Sequence, residues 1–124
     1  MLNLIALRTH CLAKRGVSES HPFGPGVLVM KVGGKIFAII GEDDDPLTIS
    51  LKCEPEIAVV LRSAHDAVQP GYHLNKRHWN TVTLDGTIKG TQIFEWVDDS
   101  YDLVVDGLPR RLREEIRSPS EPGG

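Results

Sequence analysis

The sequence predicts an α+β domain, an antiparallel sheet with helices packed on it, in the order α-β-β-β-α-β-α. Three observations carry this. Two short apolar runs, VLVMKV and KIFAII, meet at Gly33–Gly34, the signature of a tight hairpin that needs positive φ. Residues Ile93, Val97, Tyr101, Val104, Val105 and Leu108 recur at three- and four-residue steps, as on a long helix with one apolar side. The chain has 124 residues, 40% hydrophobic and 25% charged, enough for one domain with a real core.

The elements follow in order. Residues 2–15 place Leu2, Ile5, Ala6, Leu12 and Ala13 at helical spacing, with Lys14 and Arg15 at the end and Gly16 just past it. HPFGPG at 21–26 is a connector. The hairpin over 27–41 leads into the EDDDP turn at 42–46. LTISLK at 47–52 alternates like a half-buried strand and completes a meander. Pro55 sits at a first helical position between Glu54 and Glu56, so a short second helix follows, with Ile57, Val60 and Leu61 on one side. A polar loop at 70–80 returns the chain to a strand at NTVTL, and Asp85–Gly86 turns it again. The last helix ends at Gly107 and Pro109 and carries Glu95, Asp98, Asp99 and Asp102 outside. Residues 110–124 lose apolar content and read as a frayed tail.

The net charge of −3 does not suit a dedicated non-specific DNA binder. The balance is uneven, however. Residues 90–124 hold eight of the 17 acids and only four of the 14 Lys and Arg, so the first two thirds can present a positive face. Cys11 and Cys53 form neither a CxxC pair nor a disulfide scaffold. LNLIAL is too short to cross a bilayer, and no secretory pattern follows it. The expectation is a reduced, cytoplasmic monomer without a membrane segment or a cofactor.

The most unusual stretch is PGYHLNKRHWN at 70–80, which gathers Tyr72, His73, Asn75, Lys76, Arg77, His78 and Trp79 without one acid. Lys76 and Arg77 can hold phosphate, His73, His78 and Asn75 can add hydrogen bonds, and Tyr72 or Trp79 can stack on an unpaired base. Lys52 joins them if its strand adjoins the loop. Each residue has a plainer reading. A Trp beside a strand is ordinarily core, Tyr72 can cap an apolar edge, and exposed cations can simply be solvated. In an extended segment Lys76 and His78 would face one side and Arg77 and Trp79 the other, unless residues 75–78 themselves form a turn.

PFGP, KVGGKIFAII, ISLKCEPE, PGYHLNKRHWNTVTLDG and SYDLVV occur in this order. In that order they resemble the MmcQ/YjbR family of small bacterial proteins, with PGYHLNKRHWNTV the most specific piece. The resemblance covers residues 1–108 and leaves 109–124 as a flexible polar tail. It implies a double-wing fold related to the CyaY-like architecture, and a DNA-binding, regulatory role assigned by structural analogy. Glu54 departs from the Asp of the family's LKCDPE pattern. Glu is the poorer helix cap, so the second helix should fray.

Two alternatives compete with DNA. One is a protein-interaction module, with the acidic last helix and the cationic loop meeting complementary surfaces. The other is a small-ligand or metal-handling domain using the same loop or the turn Glu42–Asp45. The CyaY-like resemblance raises the metal reading, because frataxin proteins of that architecture use acidic surfaces for iron. The run is short, sits in a hairpin turn and follows no EF-hand spacing, and the histidines and cysteines follow no zinc spacing. No catalytic motif is present. VGGK at 32–35 joins two strands instead of opening a helix, and Ser100 on the last helix is better placed to bond backbone than to attack a substrate. No enzymatic activity is expected.

Overall fold

A computed structural model describes residues 2–71 and 74–117. The order is α1 (Leu4–Leu12), β1 (Val17–Ser20), β2 (Val27–Val32), β3 (Lys35–Gly41), β4 (Thr48–Lys52), α2 (Pro55–Ala64), β5 (Val68–Pro70), β6 (Trp79–Thr83), α3 (Gly90–Asp106) and α4 (Arg110–Arg117). The six strands form one antiparallel sheet in the order β1-β2-β3-β4-β6-β5. The α+β class holds, and Gly33 and Gly34 turn the β2–β3 hairpin at φ 58° and 81°.

Three elements are additional to the predicted order. β1 has a single apolar residue, Val17, and exists through its pairing with β2. β5 is three residues long and ends at Pro70, on a sheet edge where a missing N–H is tolerated. The expected flexible tail at 109–124 is corrected over 110–117. Pro109 precedes a helix with Arg110–Glu114 and Arg111–Glu115 pairs at 3.0 and 3.4 Å, and Ile116 packs on the core. Residues 118–124 lie outside the described residues.

The first helix also differs in which side faces inward. Leu7 and Cys11 are fully buried, with Leu4 packed beside them, while Ile5 and Leu12 are exposed. LNLIAL offers apolar residues to two stripes of a helix, and packing selects the one at positions 4, 7 and 11. Asn3 caps this helix, its Oδ1 accepting from Ala6 N at 2.8 Å.

Alternation divides the sheet into unlike faces. One carries Leu28, Met30, Ala38, Ile40, Ile49, Leu51, Val68 and Val82, packed against α1 and α3 through Leu7, Cys11, Ile93, Val97, Val104 and Val105. The other carries Val27, Ile39, Thr48, Ser50 and Thr81 and receives no helix among the described residues. A wide concavity of about 630 Å3, bordered by Phe23 and Leu74, lies over this second face.

Ser100 locks the helical layer to the sheet. Its hydroxyl, fully buried, donates to the Phe37 carbonyl at 2.6 Å and accepts from Lys52 N at 2.8 Å. It stands at the end of the β3–β4 ladder, one residue beyond the Ala38–Leu51 pair, and bonds backbone as its sequence position suggested. Ser100→Ala should lower stability by about 1–3 kcal/mol, because it strands a buried N–H and a carbonyl. Urea unfolding should show this as a lower midpoint at unchanged slope.

Candidate nucleic-acid interface

The site begins with how α2 is fastened. Pro55 starts the helix and Glu54 stands at its N-cap without a side-chain cap bond, as the poorer cap implied. Only Ala58 of this helix is fully buried. Ile57 and Val60, expected on the inner side with Leu61, are exposed by half or more. Tertiary polar bonds compensate for this thin packing. Arg62 Nε donates to Asn80 Oδ1 at 2.7 Å, and Asn80 Nδ2 donates to the Ala58 carbonyl at 3.3 Å. A second guanidinium nitrogen of Arg62 donates to the Lys76 carbonyl. Asn80 is 3% exposed and sits on the core face of β6, so its amide is satisfied by α2 instead of water.

The loop before β6 is held by its own backbone. Gly71 N donates to the Trp79 carbonyl at 2.9 Å, and Cys53 N donates to the His78 carbonyl at 2.7 Å. A Cβ at position 71 would lie 2.8 Å from Trp79 Cβ, so glycine is required by close approach. Residues 75–78 form a turn. The Asn75 carbonyl accepts from His78 N and Trp79 N at 3.1 and 3.0 Å, and Asn75 Oδ1 accepts from Arg77 N at 3.0 Å. The extended alternative, with Lys76 and Arg77 on opposite sides, is thereby excluded.

The turn exposes both cations. Among the described residues, Lys76 Nζ reaches the Gly71 carbonyl alone, at 3.5 Å, and neither Lys76 nor Arg77 pairs with a carboxylate. Arg77 is the one arginine among them whose guanidinium has no hydrogen bond to a described residue. Arg62 adds charge close by, because its acceptors are neutral amide oxygens. Register brings Lys52 opposite Trp79 across β4 and β6, both on the helix-free face.

The structure therefore gathers Lys52, Asn75, Lys76, Arg77, His78 and Trp79. Tyr72 and His73 lie outside the described residues. The core reading of Trp79 is corrected. It is half-buried and absent from the hydrophobic cluster, whose tryptophan is Trp96. Asn75 builds the turn with its oxygen, and its amino group has no hydrogen bond among the described residues. Sequence reading missed Arg62, Asn80 and Gly71. The available signal was Asn80, a polar residue at the inward position of an otherwise alternating strand.

The other candidate centres dissolve into local bonds. Glu42 binds His21 at 2.7 Å and Asp44 Oδ2 accepts from Thr48 at 2.7 Å. Among the described residues, no three His, Cys, Asp or Glu gather as metal ligands. The Cys53 thiol is pushed up by burial and then by Asp99 and Glu54, which disfavours a thiolate. No helix among the described residues is long and apolar enough to cross a membrane.

A sheet-and-helix domain with a cationic turn beside a sheet face that no described helix covers is the class this geometry defines. The YjbR family model matches residues 12–103, and the chain belongs to that family. It is 38% identical over 113 residues to the uncharacterized protein YjbR of Escherichia coli K12, covering 91% of this chain and 96% of that one. It is 36% identical over 55 residues to the uncharacterized protein YyaQ of Bacillus subtilis, 44% of this chain and 46% of that one. Among solved structures, a Deinococcus radiodurans protein with a DUF419 domain superposes with a TM-score of 0.89 at 39% identity, over 100% of this chain and 94% of its own. A Pseudomonas syringae protein superposes with a TM-score of 0.71 at 28% identity, over 82% and 98%.

Asn80→Ala should cost about 1–3 kcal/mol, by leaving the Arg62 and Ala58 groups short of a partner. Amide exchange at Lys76, Arg77 and His78 should quicken more than exchange in α3. A uniform increase across the chain would show that Asn80 does not set the turn.

Proposed function

We propose that this protein binds nucleic acid, and single-stranded DNA in preference to duplex. Lys76 and Arg77 hold consecutive phosphates, and the strand lies on the helix-free face beside Trp79 and Lys52. The observation that carries the reading is Arg77, exposed on a fixed turn, with its five donors unclaimed by any described residue. A guanidinium presented this way suits phosphate oxygens. The neighbouring face supports a single strand. Half-buried Trp79 offers a surface on which an unstacked base can lie. Reading a duplex groove would call for a projecting helix or ribbon, and the turn is neither.

The contact is small. Neutralising about two or three phosphates gives weak binding with a shallow salt dependence, in keeping with a protein of net charge −3. The role is binding, and a regulatory use would come from occupying single-stranded sites.

Fluorescence anisotropy with labelled single-stranded DNA, duplex DNA and RNA at several salt concentrations tests this. Lys76→Ala/Arg77→Ala should weaken single-strand binding and reduce the salt slope by about two. Unchanged binding in that double variant, or no binding even at low salt, would remove the turn from any nucleic-acid function.

A further inference from the structure

The helical side of the sheet has an opening of its own. α2 and α3 both pack on this face yet stand apart, and a cavity of about 350 Å3 lies between them. Leu51, Val68 and Val82 form its floor. One wall is Leu61 of α2. The other is a stripe of α3 in which Trp96, Asp99 and Leu103 follow at helical spacing, with Asp102 beside them. His65, which closes α2, meets the Trp96 ring edge-on at 5.4 Å and fixes it.

The charge of this cleft is mainly negative. Glu54, Asp99 and Asp102 line it, and none is in an ion pair among the described residues. Asp106 at the far end is neutralised by Arg117. Lys52 also lines the cleft, but alternation along β4 turns its side chain to the opposite face. The Asp99 carboxyl is held above the usual range first by burial and then by Asp102, Asp98 and Glu95. Acids outnumber the cations near the cleft, which include Lys52 at its border and Arg62, whose charge reaches Cys53.

We infer that this cleft binds a small organic cation, its apolar body on the Leu51–Val68–Val82 floor and its ammonium among Asp99, Asp102 and Glu54 against Trp96. An indole beside carboxylates over an apolar floor is the chemistry that recognises ammonium groups, and the volume fits a small molecule. An anion of the same shape is repelled, and a neutral analogue gains only the floor. The site stands apart from the Lys76–Arg77 turn and does not rest on the nucleic-acid reading.

The test uses 4-phenylbutylamine, its neutral analogue 4-phenylbutan-1-ol and its anionic analogue 4-phenylbutanoate, titrated into the full chain by amide NMR. Alkylation of Cys53 gives a second readout, because Cys53 lines the cleft while Cys11 is fully buried. The amine should shift resonances of α2 and α3, slow alkylation of Cys53, and bind at least about tenfold more tightly than the alcohol or the carboxylate. Asp99→Asn/Asp102→Asn, two changes at exposed carboxylates that line the cleft, should weaken the amine about tenfold and leave the alcohol unchanged. Lys76→Ala/Arg77→Ala should leave amine binding intact. No shift at millimolar amine, equal binding of amine and alcohol, or an unaffected Asp99→Asn/Asp102→Asn variant would overturn the proposal.

Discussion

The bond between Arg62 and Asn80 is the constraint on which the functional parts of this domain depend. α2 buries one residue, Ala58, and shows Ile57, Val59 and Val60 to solvent, so apolar packing alone would hold it loosely. Asn80 supplies what packing does not. It projects from the core face of β6, takes a donor from Arg62 and returns one to Ala58, while Arg62 continues to the Lys76 carbonyl. A single buried amide thus fixes a helix to a strand and a strand to its preceding turn. Such an amide is costly if left unpaired and strongly orienting when fully bonded. The position of α2 then defines one wall of the α2–α3 cleft, and the position of Lys76 defines the cationic turn.

Ser100 has a comparable place on the other side of the cleft. Its hydroxyl joins α3 to the end of the β3–β4 ladder, just before the chain leaves the sheet at Cys53. α3 is also tied to α1 by Asp98, which binds His10 and Lys14 at 2.7 and 2.6 Å. Burial raises the Asp98 carboxyl, but the bonds from Lys14 and His10 outweigh it and hold it below the ordinary value. Both cleft walls are therefore anchored by polar bonds, while the floor is the shared apolar core. This is a rigid arrangement for a site between two helices that barely touch.

The parts of the fold legible in the sequence were those whose signal is periodic or conformational. The hairpin at Gly33–Gly34 and the stripe of α3 follow from positive φ and from helical spacing, and both are as expected. The elements missed have neither signal. β1 is polar and paired only at one edge, β5 is three residues long, and α4 draws its stability from ion pairs and one docked residue, Ile116. At the site, the composition of PGYHLNKRHWN located the cations and the turn correctly. It could not assign Trp79, because alternation shows which residues share a face but not which face receives helices. Nor could it show Arg62, eight residues before the stretch in sequence and joined to it only through Asn80.

The two faces of the sheet also explain how an acidic protein can present a usable cationic surface. Lys76 and Arg77 stand on the turn before β6, whereas Asp99 and Asp102 stand on α3, on the helical side of the sheet. Water and salt screen solvent-exposed charges over about 8 Å at physiological ionic strength, so exposed groups act mainly on what binds beside them. Burial apart, the groups acting on Asp99 are carboxylates of α3, whereas Cys53 in the same cleft also feels Arg62. The net charge of −3 is thus an average over two unlike surfaces. An acid on α3 and a base at the turn do not cancel; they select different ligands, one cationic and apolar, the other a chain of phosphates. Substitutions on the two faces should therefore act additively, because the sheet that joins them carries structure between them and very little charge.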